Sequence, residues 1–113
     1  MDNKQLNNTI REITTPSGET IKVTLNFFLL YGVKTKYPDI YKRFNKVLTE
    51  SMDDVFEAID IIYTGYLCAL PEGEKPMPYE GFMLLFEDDV QGTMGLAYQL
   101  LARKKKAASA THS

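Results

Sequence analysis

The chain has 113 residues, 44% of them apolar, and a formal net charge of −2, which fits one domain with a modest core. Its apolar runs stop at five residues, far short of the ~20 that a membrane-spanning helix needs, and MDNKQLNN at the start lacks the basic-then-apolar order of a secretory leader. Cys68 is the one cysteine, so no internal disulfide or cysteine-based zinc cluster can form, and the chain reads as a cytoplasmic protein.

Residues 1–8 are polar and expected to fray. Residues 9–15 (TIREITT) and 19–25 (ETIKVTL) are rich in Ile, Val and Thr and flank Pro16-Ser17-Gly18, which predicts a small β-hairpin over about 9–25. Ile21 and Val23 face one side of it, Lys22 and Thr24 the other. The next stretch, NFFLLYGVKTKY, has Thr24 or Asn26 as its N-cap and apolar residues on every side. Pro38 interrupts it, and residues 39–49 resume with Ile40, Phe44, Val47 and Leu48 inside and Lys42, Arg43 and Lys46 outside, predicting two helices with a bend at Tyr37-Pro38.

A central helix is expected over residues 52–70. Ser51 is placed as its cap, in Ser-x-x-Asp spacing with Asp54, and Asp53 and Asp54 put negative charge on its first turn. Val55, Phe56, Ile59, Ile62, Tyr63, Tyr66, Leu67 and Leu70 recur at three- and four-residue steps, while Asp53, Glu57, Asp60 and Thr64 fall on a solvated opposite side. Pro71 and Gly73 end the helix after about five turns. PEGEKPMP follows as a surface loop, then a short helix over 79–86, with Glu87-Asp88-Asp89 capping a last helix over 90–105. Val90, Met94, Ala97, Tyr98 and Leu101 form the apolar stripe of that helix. Gly92 and Gly95 each cost it about 1 kcal/mol relative to alanine, so either they admit a close backbone or its first turns are loose. The fold class is therefore mainly α: about five helices around the central one, with a small N-terminal hairpin. Residues 1–106 form a single domain and residues 107–113 a disordered tail.

Catalytic chemistry finds little support. The sole histidine, His112, stands next to the last residue, so neither a Ser/His/Asp nor a Cys/His site has a base. Cys68, between Leu67 and Ala69, reads as a buried and unreactive thiol. Asp53, Asp54, Glu57 and Asp60 share helical spacing but lack an EF-hand loop or Glu-x-x-His pattern, and read as a solvated acidic face rather than a metal site. Gly92 and Gly95 give G-x-x-G without the strand or Lys-Ser/Thr of a phosphate loop. No cofactor, no metal and no enzymatic activity are expected.

Charge is unevenly spread. Residues 50–89 hold eleven acidic side chains and one basic, Lys75, whereas Lys34, Lys36, Lys42, Arg43 and Lys46 face Asp39 alone. That basic patch, beside Tyr37 and Tyr41, admits a regulator or adaptor that binds nucleic acid or another protein. The acidic half and a pI near 5.4 oppose phosphate binding. Opposite-charge halves suit head-to-tail association, which builds spirals or open filaments rather than closed dimers.

The other surplus is apolar. FFLLY and FMLLF place five consecutive apolar residues on helices too short to hide them singly. Core packing accounts for most of the ten, and a face kept for another chain for the rest. Tyrosine and methionine suit adaptable apolar surfaces. Phe27, Leu30, Tyr31, Tyr63, Tyr66, Met83 and Phe86 are the candidate partner-binding residues, each of which a core role would also explain.

The order IKVTLNFFLLYG, DDVFEAIDIIYTGYLCA, a Pro/Gly loop, PYEGFMLLFEDD and a final helix, over residues 19–102, resembles the tail assembly chaperones of long-tailed bacteriophages. The resemblance rests on element order and on the Y-x-G-Y and Y-E-x-F-x-x-L-x-x-x-D stretches. It implies a self-associating helical protein of the host cytoplasm, not part of the mature virion, that coats the hydrophobic tape measure protein before the tail tube polymerises around it. It also implies two product lengths in many members, made by a programmed frameshift near the end of the gene, with the longer form recruiting the tail tube protein. Lys104-Lys105-Lys106 then has two readings: a helix end complementing the dipole, or adenine-rich codons on which the reading frame slips.

Overall fold

Among residues 10–110, the part that the computed structural model describes, the chain forms two strands and five helices: β1 (Arg11–Thr14), β2 (Thr20–Val23), α1 (Phe27–Lys36), α2 (Pro38–Thr49), α3 (Val55–Ala69), α4 (Tyr79–Leu84) and α5 (Val90–Ala110). The expected fraying of residues 1–8 lies outside the described residues.

The hairpin forms because its turn chemistry is local. Gly18 takes φ +96°, which a side chain would oppose, its N–H donates to the Thr15 carbonyl at 2.8 Å, and the Thr15 hydroxyl accepts from Glu19 N–H at 3.1 Å. The antiparallel register pairs Arg11 with Val23 and Ile13 with Ile21, so Ile21 and Val23 share the inner face and are buried. Thr24 departs from the expected outward position. It lies past the strand, 1% exposed, where its N–H donates to the Gly65 carbonyl of α3 at 3.1 Å. A Cβ on Gly65 would stand 3.2 Å from Val23 Cβ, so this glycine lets β2 lie directly on the helix backbone.

Asn26 caps α1, its Oδ1 accepting from Leu29 N–H at 3.2 Å. The chain breaks at Tyr37 (φ −131°, ψ 67°) and Pro38 opens α2 as its first residue, where a missing N–H is tolerated. The cap of α3 is Asp54 rather than Ser51. Asp54 Oδ1 accepts from Glu57 N–H at 3.0 Å, and Glu57 Oε1 accepts from Asp53 N–H at 2.6 Å. The cap therefore sits three residues later than expected, and the longer Glu57 side chain reaches back past it to the N–H of Asp53.

α3 is surrounded by β2, α1, α2, α4 and α5, and this removes the solvated side expected of its middle turns, while Asp53 stays exposed and Glu57 partly so at its start. From Ala58 to Gly65 every residue is buried, Asp60 and Thr64 included. Around it lie Phe44 and Val47 of α2, Phe82 and Phe86 of the α4 segment, and Ala97, Leu100 and Leu101 of α5. Each large side chain so enclosed contributes about 1.5–3 kcal/mol relative to exposure.

The stripe of α5 is also rotated from the expected one. Thr93, Ala97, Leu100 and Leu101 face inward, whereas Val90 and Tyr98 are about half exposed. Thr93 can turn in because its hydroxyl donates to the Asp89 carbonyl at 2.7 Å. Asp89 caps the helix by accepting from Gly92 N–H at 2.9 Å. No neighbouring backbone lies over Gly92 or Gly95. α5 continues to Ala110, beyond the expected end at Lys105 and into the expected tail, through residues that include alanine and no breaker. Thr111, His112 and Ser113 lie outside the described residues.

Candidate functional site

The sequence of α1 is apolar all round, and a helix of that kind is normally covered all round. Among the described residues this one is covered on one side. Leu30 and Val33 pack inward, where α1 lies on α2 and α3. Phe27, Phe28 and Tyr31 are 68%, 75% and 66% exposed. Tyr31 lies one helical turn from both phenylalanines, so the three rings share a face. Gly32, also on it, is exposed, and nothing stands within 4 Å of where its Cβ would be. Lys34 and Lys36 close the C-terminal end, and no acidic side chain occurs on α1.

The seven candidate contact residues thus divide by environment. Phe27 and Tyr31 belong to the exposed face of α1. Leu30, Tyr63 and Phe86 are 4%, 6% and 2% exposed and present no surface, because the helices around α3 close over them. Tyr66 and Met83 are half-buried. Of the ten residues in the two five-residue apolar runs, four are exposed: Phe27, Phe28, Tyr31 and Leu84.

Tyr63 and Tyr66 serve a structural end. Their rings stack at 5.8 Å, and Phe82 lies 5.0 Å from each. The Tyr63 hydroxyl donates to the Met77 carbonyl at 2.7 Å, and the Tyr66 oxygen accepts from Met77 N–H at 2.9 Å. Both backbone groups of a residue set between Pro76 and Pro78 are satisfied this way, which ties the loop and α4 to α3. Burial raises the phenol pKa of Tyr63.

A polar node escaped the sequence reading. Asp60 accepts at Oδ1 from the Tyr79 hydroxyl at 2.8 Å and from Arg43 Nε at 3.2 Å, and the Arg43 guanidinium lies 4.9 Å from the Tyr79 ring centre. Burial raises the carboxyl pKa of Asp60 above its ordinary 3.8, against the opposing pull of Tyr79 and Arg43. Burial, and then the bond to Asp60, holds the Tyr79 phenol above its ordinary range, so it remains a donor at neutral pH. The available signal was Asp60 set inside an apolar run, between Ile59 and Ile61.

This node also alters the basic patch. Arg43 is turned to Asp60, and Lys46 Nζ lies 3.4 Å from Glu57 Oε2, leaving Lys34, Lys36 and Lys42 as its exposed members without such an ion pair. Asp53, Asp54, Glu57 and Asp60 do not converge, and among the described residues no group of three or more metal-ligating side chains is gathered. Cys68 is buried. An open cleft of about 260 Å³ lies between α2 and α5, lined by Val47, Met52, Tyr98 and Leu101 with Glu50 at its edge. Among the described residues no helix is long and apolar enough to cross a membrane.

No protein-family model, curated protein or solved structure matches this chain. What the geometry offers is therefore read from its own residues: an aromatic helix face set for apolar contact, beside a closed core.

Proposed function

We propose that this chain is a phage tail assembly chaperone, a non-enzymatic protein that binds and solubilises the tape measure protein in the host cytoplasm during tail morphogenesis. The observation that carries the reading is the exposure of Phe28 and Tyr31, with Phe27 beside them, on a helix whose other side is core. Aromatic side chains bring about 150–250 Å² of burial each, so this face would gain several kcal/mol by taking up an apolar helix. The uneven charge of the sequence suits self-association, and recruitment of the tail tube protein by a longer frameshifted form is what the resemblance implies.

Co-expression with the tape measure protein of the same phage tests it. The client becomes soluble and co-purifies with the natural chain, and does so far less with Phe28→Ser/Tyr31→Ser. Binding persists as salt rises from about 50 to 200 mM, where phosphate binding through the lysines would collapse. A client that stays insoluble at every dose of the chain overturns the reading.

A further inference from the structure

We propose that the helix taken up on the exposed face of α1 carries acidic side chains beside its apolar ones and crosses α1 at Gly32. This inference rests on the docking role assigned to that face above. At about 100° per residue, Phe28, Tyr31, Gly32 and Thr35 share one side of α1, and Lys34 and Lys36 fall on its two edges, all of them exposed. The ion pairs formed among the described residues are Arg43–Asp60 and Lys46–Glu57, so neither edge lysine is engaged in one, Lys34 resting 5.8 Å from the Tyr41 ring centre. No acidic side chain occurs on α1, so both charged groups that this helix presents are positive. A helix with acidic flanks is attracted to it and one with basic flanks is repelled.

Gly32 sets the crossing. A glycine inside a helix lowers its stability relative to alanine, and nothing in the fold occupies the space that a Cβ would take. Its effect is to expose backbone one turn beyond Phe28, between that ring and Lys36, which lets a second helix approach to the short end of the usual 8–10 Å interaxial range. Phe28 and Tyr31 then pack against one side of the incoming helix and Lys36 stands on the other, with Lys34 at the far edge of the face.

The probes are two labelled helical peptides of about 18 residues, long enough to hold some helix in water, alike in their apolar positions and edged with glutamate in one and lysine in the other. Fluorescence anisotropy follows their titration with the full chain, and circular dichroism checks that each variant is folded. The glutamate-edged peptide binds about tenfold more tightly, as two surface charge pairs allow, and Lys34→Glu/Lys36→Glu reverses the order. Gly32→Leu weakens the glutamate-edged peptide at least tenfold. Equal affinities for the two peptides, both abolished by Phe28→Ser, overturn the acidic-flank inference and leave the docking role intact. Undiminished binding to Gly32→Leu overturns the crossing. If neither peptide binds, or binding ignores Phe28→Ser because a second copy of the chain covers the face, both the inference and the docking role fall.

Discussion

Asp60 shows how one side chain can invert the usual relation between acidity and stability. Because burial lifts its carboxyl pKa above 3.8, the native state holds a proton at pH values where the unfolded chain has released it. The contribution of Asp60 is therefore fully present below 3.8 and declines as pH rises through the native value. Tyr79→Phe removes the hydroxyl that most opposes this shift, so the native pKa climbs further. The variant should lose about 1.5–3 kcal/mol near pH 7 and less in acid, as read from urea unfolding at the two pH values. An equal loss at both would remove the account. Gly32 gives the opposite case. It is helical and exposed, with nothing near its missing Cβ, so Gly32→Ala should raise stability by about 0.5–1 kcal/mol in the same measurement, even where it hinders docking.

At the scale of elements, the ends of helices follow their side-chain bonds more closely than their apolar pattern. The bond from Glu57 N–H to Asp54 assigns the start of α3, and it separates two residues that look alike as caps on paper. Asp54→Ala should cost about 1 kcal/mol. Ser51→Ala should stay within about 0.5 kcal/mol, and chemical denaturation that finds the two equal would contradict the assignment. The hairpin turn and the break at Tyr37-Pro38 could be read from sequence, and the cap of α1 narrowed to Thr24 or Asn26, since each is decided by neighbours within a few positions. The inward turn of Asp60 could not. Its partners Arg43 and Tyr79 lie 17 and 19 residues away, and a polar residue on a helix is assigned to water unless such partners are known. The phase of α5 was missed for a related reason: Thr93 counts as polar in a pattern, but its hydroxyl is satisfied within its own helix.

Across the described residues, the mainly α class, the five helices and the hairpin were legible because Pro, Gly and apolar spacing punctuate the chain plainly. Which apolar side chains remain outside was not, because that depends on how five elements close around α3. Two phenylalanines measure the difference. Phe44→Ala, at a fully enclosed site, should cost about 3–5 kcal/mol. Phe28→Ser should change stability by less than about 0.5 kcal/mol while lowering the binding of a hydrophobic dye, and thermal melts with a dye titration would expose any failure of that contrast. The bond from Thr24 to Gly65 has a consequence for biosynthesis. Two strands alone are marginal in water, and the helix on which these lie is made some forty positions later, a separation fixed by the positions of Thr24 and Gly65. The hairpin, the first of the described elements, is thus among the last to settle. During translation Ile21 and Val23 wait unburied until the middle of the polypeptide has emerged to receive them.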